Sequence, residues 1–445
     1  MYFDPTEDIS DYKPGGLHPV HLGDTFSNGR YAVVDKLGYG STSTTWLVFD
    51  AQTNTFASLK ILSAARPLSE LSVLQHLAAT YDSEEEGSQH VARMLDHFVV
   101  DGPNGRHQCF VGEALGPSFG GYLMHYLCNF WDDGRFPSDI AHRICGQLAL
   151  AVAYLHKHGV AHGDIHPGNV LLHFPYPRTS IEDFRREFGE PKKIEYDDDD
   201  SDNASDSDED EEDAGGSDDD NSALSDPHRP DYLVLPLTSA PNVFRDCLRQ
   251  ANIKICDFGE SYMEALPNPP KLATPRLFRP PEALPILALA PHATPELDIW
   301  ALANFFSFLL SSGHTLFPNR GAKDDHGQLS EMALKLGPFP EPLWSKWEKR
   351  GEVLDDNGKP VDSRRSCALL DWHVNYILAP DSEDRRSFES ILRSMLCYDS
   401  ATRARAADVL ASVWFKECCR PVMTLGAKYA VDFRFKRDRV RNGSP

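Results

Sequence analysis

Up to Gly116 the chain alternates between short runs of β-branched and aromatic residues and breaks that contain polar residues or glycine. Such runs predict strands at 31–34, 44–49, 56–62, 90–100 and 108–114. The leucines of 68–77 are spaced as on a short helix. This part of the chain is therefore predicted to form a small β-rich unit.

After Gly116 the apolar positions recur at helical spacing. Ser138 is predicted to cap a helix that carries Asp139 in its first turn and ends near Gly159. The segment 296–310 is apolar on nearly all sides, which is typical of a helix buried inside a domain. Because strands come first and helices later, the pattern predicts an α+β chain with two lobes.

The apolar pattern stops between Asp183 and Pro230. Within this segment the tract 195–226 has 17 acidic residues and neither Lys nor Arg. Such a tract cannot bury enough apolar surface to offset the entropy of ordering its backbone, and its like charges repel each other. We therefore predict a disordered insert within a domain, which is either a simple solvated loop or a regulatory one.

The net charge of −23 is set mainly by this tract, because the other 413 residues sum to only −6. The balance disfavours a general nucleic-acid binder, which needs clustered Lys and Arg. The acidic N-terminal segment 1–16 has no apolar core typical of a secretory signal, and 297–310 is too short to span a bilayer. With nine unpatterned cysteines, the composition predicts a cytoplasmic or nuclear protein without membrane attachment.

A glycine-rich turn, Gly38-x-Gly40, lies between two predicted strands. Both a dinucleotide-binding fingerprint and a Walker A loop need a helix after the glycines, so the context disfavours both. A protein kinase covers the phosphates of ATP with a glycine-rich turn between strands. Taken alone, this turn is more typical of an ordinary hairpin.

Residues with the chemistry of phosphoryl transfer follow in a fixed order. Lys60 lies in a strand, and Glu70 lies on the next helix as its candidate partner. The segment 162–169 reads His-Gly-Asp-Ile-His-Pro-Gly-Asn, in which Asp164 can accept a proton and Asn169 can bind a phosphate-bound Mg²⁺. Asp257 in Asp-Phe-Gly supplies a second oxygen ligand. Their joint occurrence predicts a kinase-type fold.

Two further elements are typical of protein kinases rather than small-molecule kinases. Pro280-Pro281-Glu282 follows Asp257 at the spacing of an activation segment. Glu282 and Arg403 are predicted to form a buried ion pair that locks this segment to the helical lobe.

These motifs resemble those of the eukaryotic protein kinase superfamily, and more closely the SR-protein kinase (SRPK) branch of the CMGC group. The closer resemblance lies in 12–24, 30–38 and 43–47, where Ser43 stands at the position of the third loop glycine. It extends to the hinge-like 113–116 and to 317–338, which resembles the CMGC insert. The resemblance implies a bilobal kinase fold that acts as a serine/threonine protein kinase with ATP and Mg²⁺.

The resemblance also implies roles for individual residues. Asp164 would be the catalytic base, flanked by His166 and Asn169, and Asn169 and Asp257 would bind Mg²⁺. Lys60 would hold the ATP phosphates, and Glu70 would be its ion-pair partner at the nucleotide site. The other implied nucleotide-binding residues are Leu37, Gly38, Gly40, Thr45, Glu113 and Leu115, of which the last two would offer backbone groups to adenine.

The family's architecture implies domain bounds and partners. We predict an N-terminal extension at 1–23, a β-rich lobe at 24–116, a helical lobe at 117–182 and 231–421, the disordered insert at 183–230 and a basic tail at 422–445. The implied partners are protein substrates, in particular Arg/Ser-rich proteins, bound through an acidic groove to which Asp324 and Asp325 can contribute. No nucleic-acid partner is predicted, and the protein is predicted to be a monomer.

Three departures from the family's pattern leave other functions possible. His166 stands where such kinases carry Lys, Gly112 stands at the gatekeeper position, and Lys60 and Glu70 are closer in sequence than usual. These features favour the alternative of a pseudokinase or weakly active scaffold that binds nucleotide. The residue sequence of 162–169 also resembles the corresponding motif of aminoglycoside phosphotransferases. The motif Pro280-Pro281-Glu282 argues against such a small-molecule kinase.

Overall fold

The structure is a computed structural model of the chain. It describes residues 6–66, 69–120, 136–174, 180–195, 226–264, 266, 270–287, 289–290, 292–318, 324–362, 369–379 and 382–424. The strand-rich unit draws on Met1–Arg66, Leu95–Ala114 and Tyr176–Ala240, and the helical unit draws on Pro67–Met94, Leu115–Pro175 and Pro241–Pro445. None of the helices within the described ranges is both long and apolar enough to cross a lipid bilayer.

The strands are β1 (Thr25–Phe26), β2 (Tyr31–Gly40), β3 (Ser43–Asp50), β4 (Thr55–Leu62), β5 (Met94–Gly102), β6 (Gly105–Glu113), β7 (Leu115–Ser118), β8 (Val160–Ala161), β9 (Val170–His173), β10 (Lys193–Ile194), β11 (Leu233–Val234), β12 (Ile253–Ile255) and β13 (Tyr262–Met263). The α-helices are α1 (Ser69–Ala79), α2 (Ser138–Lys157), α3 (Ile181–Phe188), α4 (Pro241–Leu248), α5 (Pro295–Leu310), α6 (Asp325–Leu336), α7 (Leu343–Lys346), α8 (Leu369–Ile377), α9 (Glu383–Met395), α10 (Ala406–Ala411) and α11 (Arg420–Thr424). Their order confirms the predicted α+β architecture, with a β-sheet lobe followed by a helical lobe.

A six-stranded sheet with the order β1-β2-β3-β4-β6-β5 forms the body of the strand-rich unit. The pairs β2–β3, β3–β4 and β4–β6 are antiparallel. Alternate side chains of these strands point into one apolar core, which includes Trp46, Val48, Leu59, Ile61 and Val111. The β-branched and aromatic runs of the sequence thus form the strands because one face of each is buried.

The helical unit is organised around α5. Thirteen of its 16 residues are buried, which accounts for the nearly uniform apolar character of this segment. The long helix α2 packs against α5, and its own buried residues include Ile144, Leu148 and Val152. The predicted central helix is therefore confirmed, and it begins with Pro295 rather than Glu296.

Several predicted boundaries differ from the structure by a few residues. Pro137 rather than Ser138 occupies the N-cap position of α2, and the Ser138 hydroxyl lies 3.1 Å from the ring of His142. The strand predicted from residue 90 begins at Met94, because 86–90 form a 3-10 helix. The predicted helix 68–77 is confirmed as α1.

The insert predicted to be disordered from 183 to 230 is shorter than expected. Ser180 caps α3 by accepting a hydrogen bond from the backbone of Asp183, and Gly189 ends this helix with a φ of 83°. Strands β10 and β11 then form an antiparallel ladder across the acidic tract. Within the tract, residues 196–225 lie outside the described residues, and for them the disorder stays a prediction.

The compact units also divide the chain differently from the predicted lobes. Residues 231–240, predicted for the helical lobe, belong to the strand-rich unit because Val234 is buried in the core of its sheet. Helix α1, predicted for the β-rich lobe, belongs to the helical unit. The N-terminal segment 6–23 belongs to the strand-rich unit, where the carboxylate of Glu7 forms a fully buried ion pair with Lys36. The basic tail from residue 425 onward lies outside the described residues.

The ion pair of Arg30 and Asp50 links β2 to β3 and generates a prediction about pH. The guanidinium donates hydrogen bonds of 3.0 and 2.9 Å to the two Asp50 oxygens, and these bonds hold the pKa of this buried carboxyl below its usual range. A lowered carboxyl pKa stabilises the fold above about pH 4, and this contribution is lost as the pH falls through the folded-state pKa.

We therefore expect Asp50→Asn to lower the free energy of unfolding by about 2 kcal/mol at pH 6. Thermal unfolding should show the gap to wild type shrinking below about pH 4. The exposed pair of Glu383 and Arg386 supplies the control, since Glu383→Gln should cost less than about 1 kcal/mol. A gap for Asp50→Asn that stays constant with pH would contradict this account.

Candidate active site

The segment 162–169 lies between β8 and β9, at the centre of the helical unit. Its shape depends on Gly163, which has a φ of 79°. A Cβ atom at this position would lie 2.6 Å from both the carbonyl oxygen of Glu260 and the side chain of Ala293. Only glycine fits here, since both the conformation and the space exclude a side chain.

Asp298 anchors this segment from the first turn of α5. Its carboxylate accepts hydrogen bonds from the backbone N–H groups of His162 and Gly163, at 2.7 and 2.8 Å. It also lies 2.9 Å from Nε2 of His156, near the end of α2, and only 1 % of Asp298 is exposed. The sequence analysis did not predict that Asp298 binds this segment. The signal was present, because a carboxylate inside an apolar helix needs hydrogen-bond donors from another part of the chain.

Asp164 is oriented by Asn169. The Asn169 side-chain amide donates to the backbone oxygen of Asp164 at 2.9 Å and to its Oδ2 at 3.0 Å. Among the described residues, the other carboxylate oxygen, Oδ1, is buried and has no hydrogen-bond partner. Asp164 is therefore fixed through one oxygen and presents the other as a proton acceptor.

His166 lies beside the same carboxylate. Its Nδ1 accepts a hydrogen bond of 3.0 Å from the backbone N–H of Gly168, so a neutral ring carries its proton on Nε2. Nε2 lies 3.4 Å from Oδ2 of Asp164. The imidazole thus closes the turn at 166–168 and directs its N–H toward the carboxylate.

His162 connects the Asp164 segment to the segment of Asp257. Its Nδ1 accepts the backbone N–H of Asp164 at 3.2 Å, and its Nε2 donates to the carbonyl of Cys256 at 3.0 Å. The side chain is completely buried. Its connecting role was also missed, because nothing in the local sequence indicates the partner Cys256.

The two candidate metal ligands, Asn169 and Asp257, lie at the same end of a strand pair. Strands β9 and β12 are antiparallel with Val170 opposite Ile255, and the N–H of Cys256 donates to the carbonyl of Asn169 at 3.0 Å. Asp257 has a φ of 65°, a left-handed conformation unusual for a residue with a side chain. Strained backbone of this kind is typical of functional sites.

Residues of the predicted activation segment contact the segment 162–169. The hydroxyl of Thr274 donates to the carbonyl of Gly163, and the guanidinium of Arg279 donates to the carbonyl of Thr274. The predicted pair of Glu282 and Arg403 is present, with 2.8 Å between its charged atoms and the Arg403 side chain fully buried. This geometry agrees with the predicted lock on the segment.

The acidic residues predicted for a substrate groove have structural partners. Asp325 accepts a hydrogen bond of 2.8 Å from Arg276 and another of 2.9 Å from the backbone of Ile286. Asp324 caps α6 by accepting from the backbone of Gly327 at 3.0 Å. Both oxygens of Asp325 are thus engaged within the structure, whereas Asp324 is exposed and uses only one hydrogen bond for its cap.

The strand-rich unit carries most of the predicted nucleotide-binding residues. Gly38 lies opposite Thr45 on β3, and Thr45 lies opposite Lys60 on β4, so the three residues form one row across the sheet. The remaining members of this set on the same unit are Leu37 and Gly40 on β2 and Glu113 at the end of β6.

Glu70 and Leu115 belong to the helical unit. Glu70 is a buried residue in the first turn of α1, with 3 % of its surface exposed, and Leu115 is the first residue of β7. Their predicted roles, including the pairing of Glu70 with Lys60, stay predictions.

Comparisons with known proteins agree with these observations. The model of the family described as protein kinase domain matches residues 31–189 and 240–415, and so omits most of the insert. Protein kinase dsk1 of Schizosaccharomyces pombe is 37% identical over 172 residues, which cover 37% of this chain and 30% of the relative. SRSF protein kinase 3 of Homo sapiens is 37% identical over 171 residues, covering 37% and 29%.

A serine/threonine protein kinase of Aspergillus fumigatus is 27% identical over 422 residues, which cover 92% of this chain and 90% of the relative. The match spans less than a third of the length of the other two relatives, at 30% and 29%. These similarities confirm the resemblance to the SRPK branch of the CMGC group. Because the family model matches well over half of its length, the chain belongs to the protein kinase domain family.

Proposed function

We propose that the chain is an ATP- and Mg²⁺-dependent serine/threonine protein kinase. The observation that carries this proposal is the arrangement of Asp164, whose Oδ2 is bound by Asn169 while its buried Oδ1 has no partner among the described residues. Relatives named as serine/threonine kinases support the same activity.

In the proposed reaction, Asp164 acts as the general base. The hydroxyl oxygen of a substrate serine or threonine forms a bond to the γ-phosphorus of ATP, and the bond from that phosphorus to the β–γ bridging oxygen breaks. Oδ1 of Asp164 takes the hydroxyl proton as this happens. The Asn169 amide keeps the carboxylate turned so that the same oxygen always faces the substrate.

The donor set at Asn169 and Asp257 fits Mg²⁺. Both residues offer oxygen atoms as metal ligands. The side-chain nitrogen of Asn169 donates to Asp164, so the side-chain oxygen Oδ1 is the atom that would bind the metal. Asn169 and Asp257 would hold the ion, whose charge would offset that of the phosphates. The hydrogen bond between Cys256 and Asn169 keeps the two ligand-bearing segments in register.

Nucleotide binding is assigned to the row formed by Gly38, Thr45 and Lys60. The Lys60 ammonium would contact the ATP phosphates with Glu70 as its partner, and the backbone of the turn at 37–40 would cover them. Glu113 and Leu115 would offer backbone groups to adenine. The Ser58 hydroxyl donates a hydrogen bond of 2.9 Å to the Glu113 carbonyl and so fixes the backbone at this position.

Arg/Ser-rich proteins are the proposed substrates. This assignment follows from the resemblance to the SRPK branch and from a relative whose name is SRSF protein kinase 3. Asp325 does not support it, because both of its carboxylate oxygens have partners within the structure, whereas the exposed Asp324 stays a candidate. The relatives reported above are all named as kinases, so they give no support to the alternative of a pseudokinase scaffold.

The catalytic role of Asp164 can be tested directly. We expect Asp164→Asn to lower phosphate incorporation from Mg-ATP into an Arg-Ser repeat peptide by about 100-fold or more, because the amide cannot accept the proton. The exposed Asp139 in the first turn of α2 supplies a matched control, and Asp139→Asn should keep wild-type activity. An Arg-Ala repeat peptide should remain unlabelled. Equal incorporation by wild type and Asp164→Asn would refute the proposed function.

His166 provides a second test. Asn at this position can still accept the N–H of Gly168 through Oδ1, but its amide nitrogen is too close to the backbone to replace Nε2 beside Asp164. His166→Asn therefore separates the two contacts of the ring. We expect kcat to fall about tenfold and the KM for ATP to change less than about twofold. His166→Lys, measured alongside, restores the donor and should recover part of kcat. An unchanged kcat in His166→Asn would show that the ring only closes the turn.

A further inference from the structure

Strand β2 contains two irregular positions just before the glycine-rich turn. Its register with β3 shifts between Val33 and Asp35 and again between Lys36 and Gly38, so Val34 and Leu37 have no partner residue on β3. A bulge of this kind leaves an extra residue unpaired in the ladder and bends the strand. On the other side, the register of β1 covers only Tyr31 and Ala32.

Both bulged residues are buried, with 3 % of Val34 and 6 % of Leu37 exposed. A buried carbonyl that the ladder does not pair needs a donor from elsewhere, because an unsatisfied buried acceptor costs free energy. The outer edge of β2 at 34–37 is therefore a place where another part of the chain has to supply hydrogen bonds.

The two flanks of the insert supply these donors. The Arg185 guanidinium on α3 donates to the carbonyl of Val34, and it lies 3.6 Å from the carboxylate of Asp35. The Thr238 hydroxyl, in the 3-10 helix Leu237–Ser239, donates to the carbonyl of Leu37 at 2.6 Å. The two bulged carbonyls are thus each bound by one flank, across 151 and 201 residues of sequence.

The flanks are themselves anchored in the strand-rich unit. Phe184, next to Arg185, is fully buried and packs on Phe56 of β4 with 5.0 Å between ring centroids. Before Thr238, Val234 is fully buried in the sheet core and pairs with Lys193 in the β10–β11 ladder. Arg185 and Thr238 therefore project from fixed positions rather than from solvated loops.

The residue between the two bulges is held in a comparable way. Lys36 forms its buried ion pair with Glu7, and the hydroxyl of Tyr12 donates to Glu7 at 2.6 Å. With Asp35 facing Arg185, all four residues 34–37 are bound by segments outside the sheet. These four residues lead directly into Gly38-x-Gly40.

We propose that Thr238 and Arg185 are positioning residues for ATP: by binding the bulged carbonyls of β2, the insert flanks set the course of the strand and thereby of the glycine-rich turn. The inference rests on the proposed function, in which this turn covers the ATP phosphates. The flanks would then be a working part of the nucleotide site, although the family model omits most of the insert.

Thr238→Val tests this with little change in shape, since it replaces the hydroxyl by a methyl group. We expect the KM for ATP to rise about fivefold, while the KM for an Arg-Ser peptide and kcat change less than about twofold. Thr238→Ser restores the donor and should return the KM for ATP to the wild-type value. Ser239→Ala is the matched control, because the Ser239 hydroxyl donates to the nearby carbonyl of Pro236 at 2.6 Å, whereas the Thr238 hydroxyl donates to β2.

A second measurement does not depend on turnover. Amide hydrogen exchange at Tyr39 and Gly40 in the nucleotide-free full chain should become about fivefold faster in Thr238→Ala and stay at the wild-type rate in Ser239→Ala. An unchanged KM for ATP together with unchanged exchange would overturn the inference, even if Thr238→Val lowers the Tm. Failure of the proposed function is a different result, since the wild-type chain itself would then show no ATP-dependent labelling.

Discussion

The carboxylate of Asp298 is withdrawn from solvent in the first turn of α5, where it receives hydrogen bonds from the backbone of His162 and Gly163 and faces the ring of His156. A buried charge is tolerated only with several donors, so the catalytic segment and the helix stabilise each other. Gly163 permits the tight turn that this contact needs. From there His162 fixes the backbone of Asp164 and reaches Cys256, next to Asp257, so one carboxylate determines the course of both functional segments.

In the strand-rich unit, the main constraint is the irregular pairing of β2 with β3. The register of β2 with β3 shifts at Val34 and Leu37, just before the glycine-rich turn, so neither residue has a partner residue on β3. Arg185 and Thr238 compensate for this from the two ends of the insert. The flanks of the insert therefore belong to the fold as much as the strands that they bind.

The features that the sequence predicted correctly are those encoded within short stretches of the chain. Strand runs, the long helix α2 and the ordered set of Lys60, Asp164, Asn169 and Asp257 follow from patterns within short windows. The partners of Asp298, and the donors Arg185 and Thr238 for β2, were out of reach because those contacts join residues more than 130 positions apart. The extent of the disordered insert was overestimated for the same reason: its flanks look polar but are ordered by packing such as that of Phe184 on Phe56.

The central claim is that the buried carboxylate of Asp298 holds the segment 162–169 in the geometry that the proposed reaction needs. The most direct measurement compares Asp298→Asn with wild type in phosphoryl transfer to an Arg-Ser peptide and in amide exchange at His162 and Gly163. We predict that kcat falls about 100-fold, that the two amides exchange faster, and that the KM for ATP changes less than about twofold, because misplacement of the base rather than loss of nucleotide binding limits the reaction. A kcat within twofold of wild type, with both amides still protected, would contradict the account.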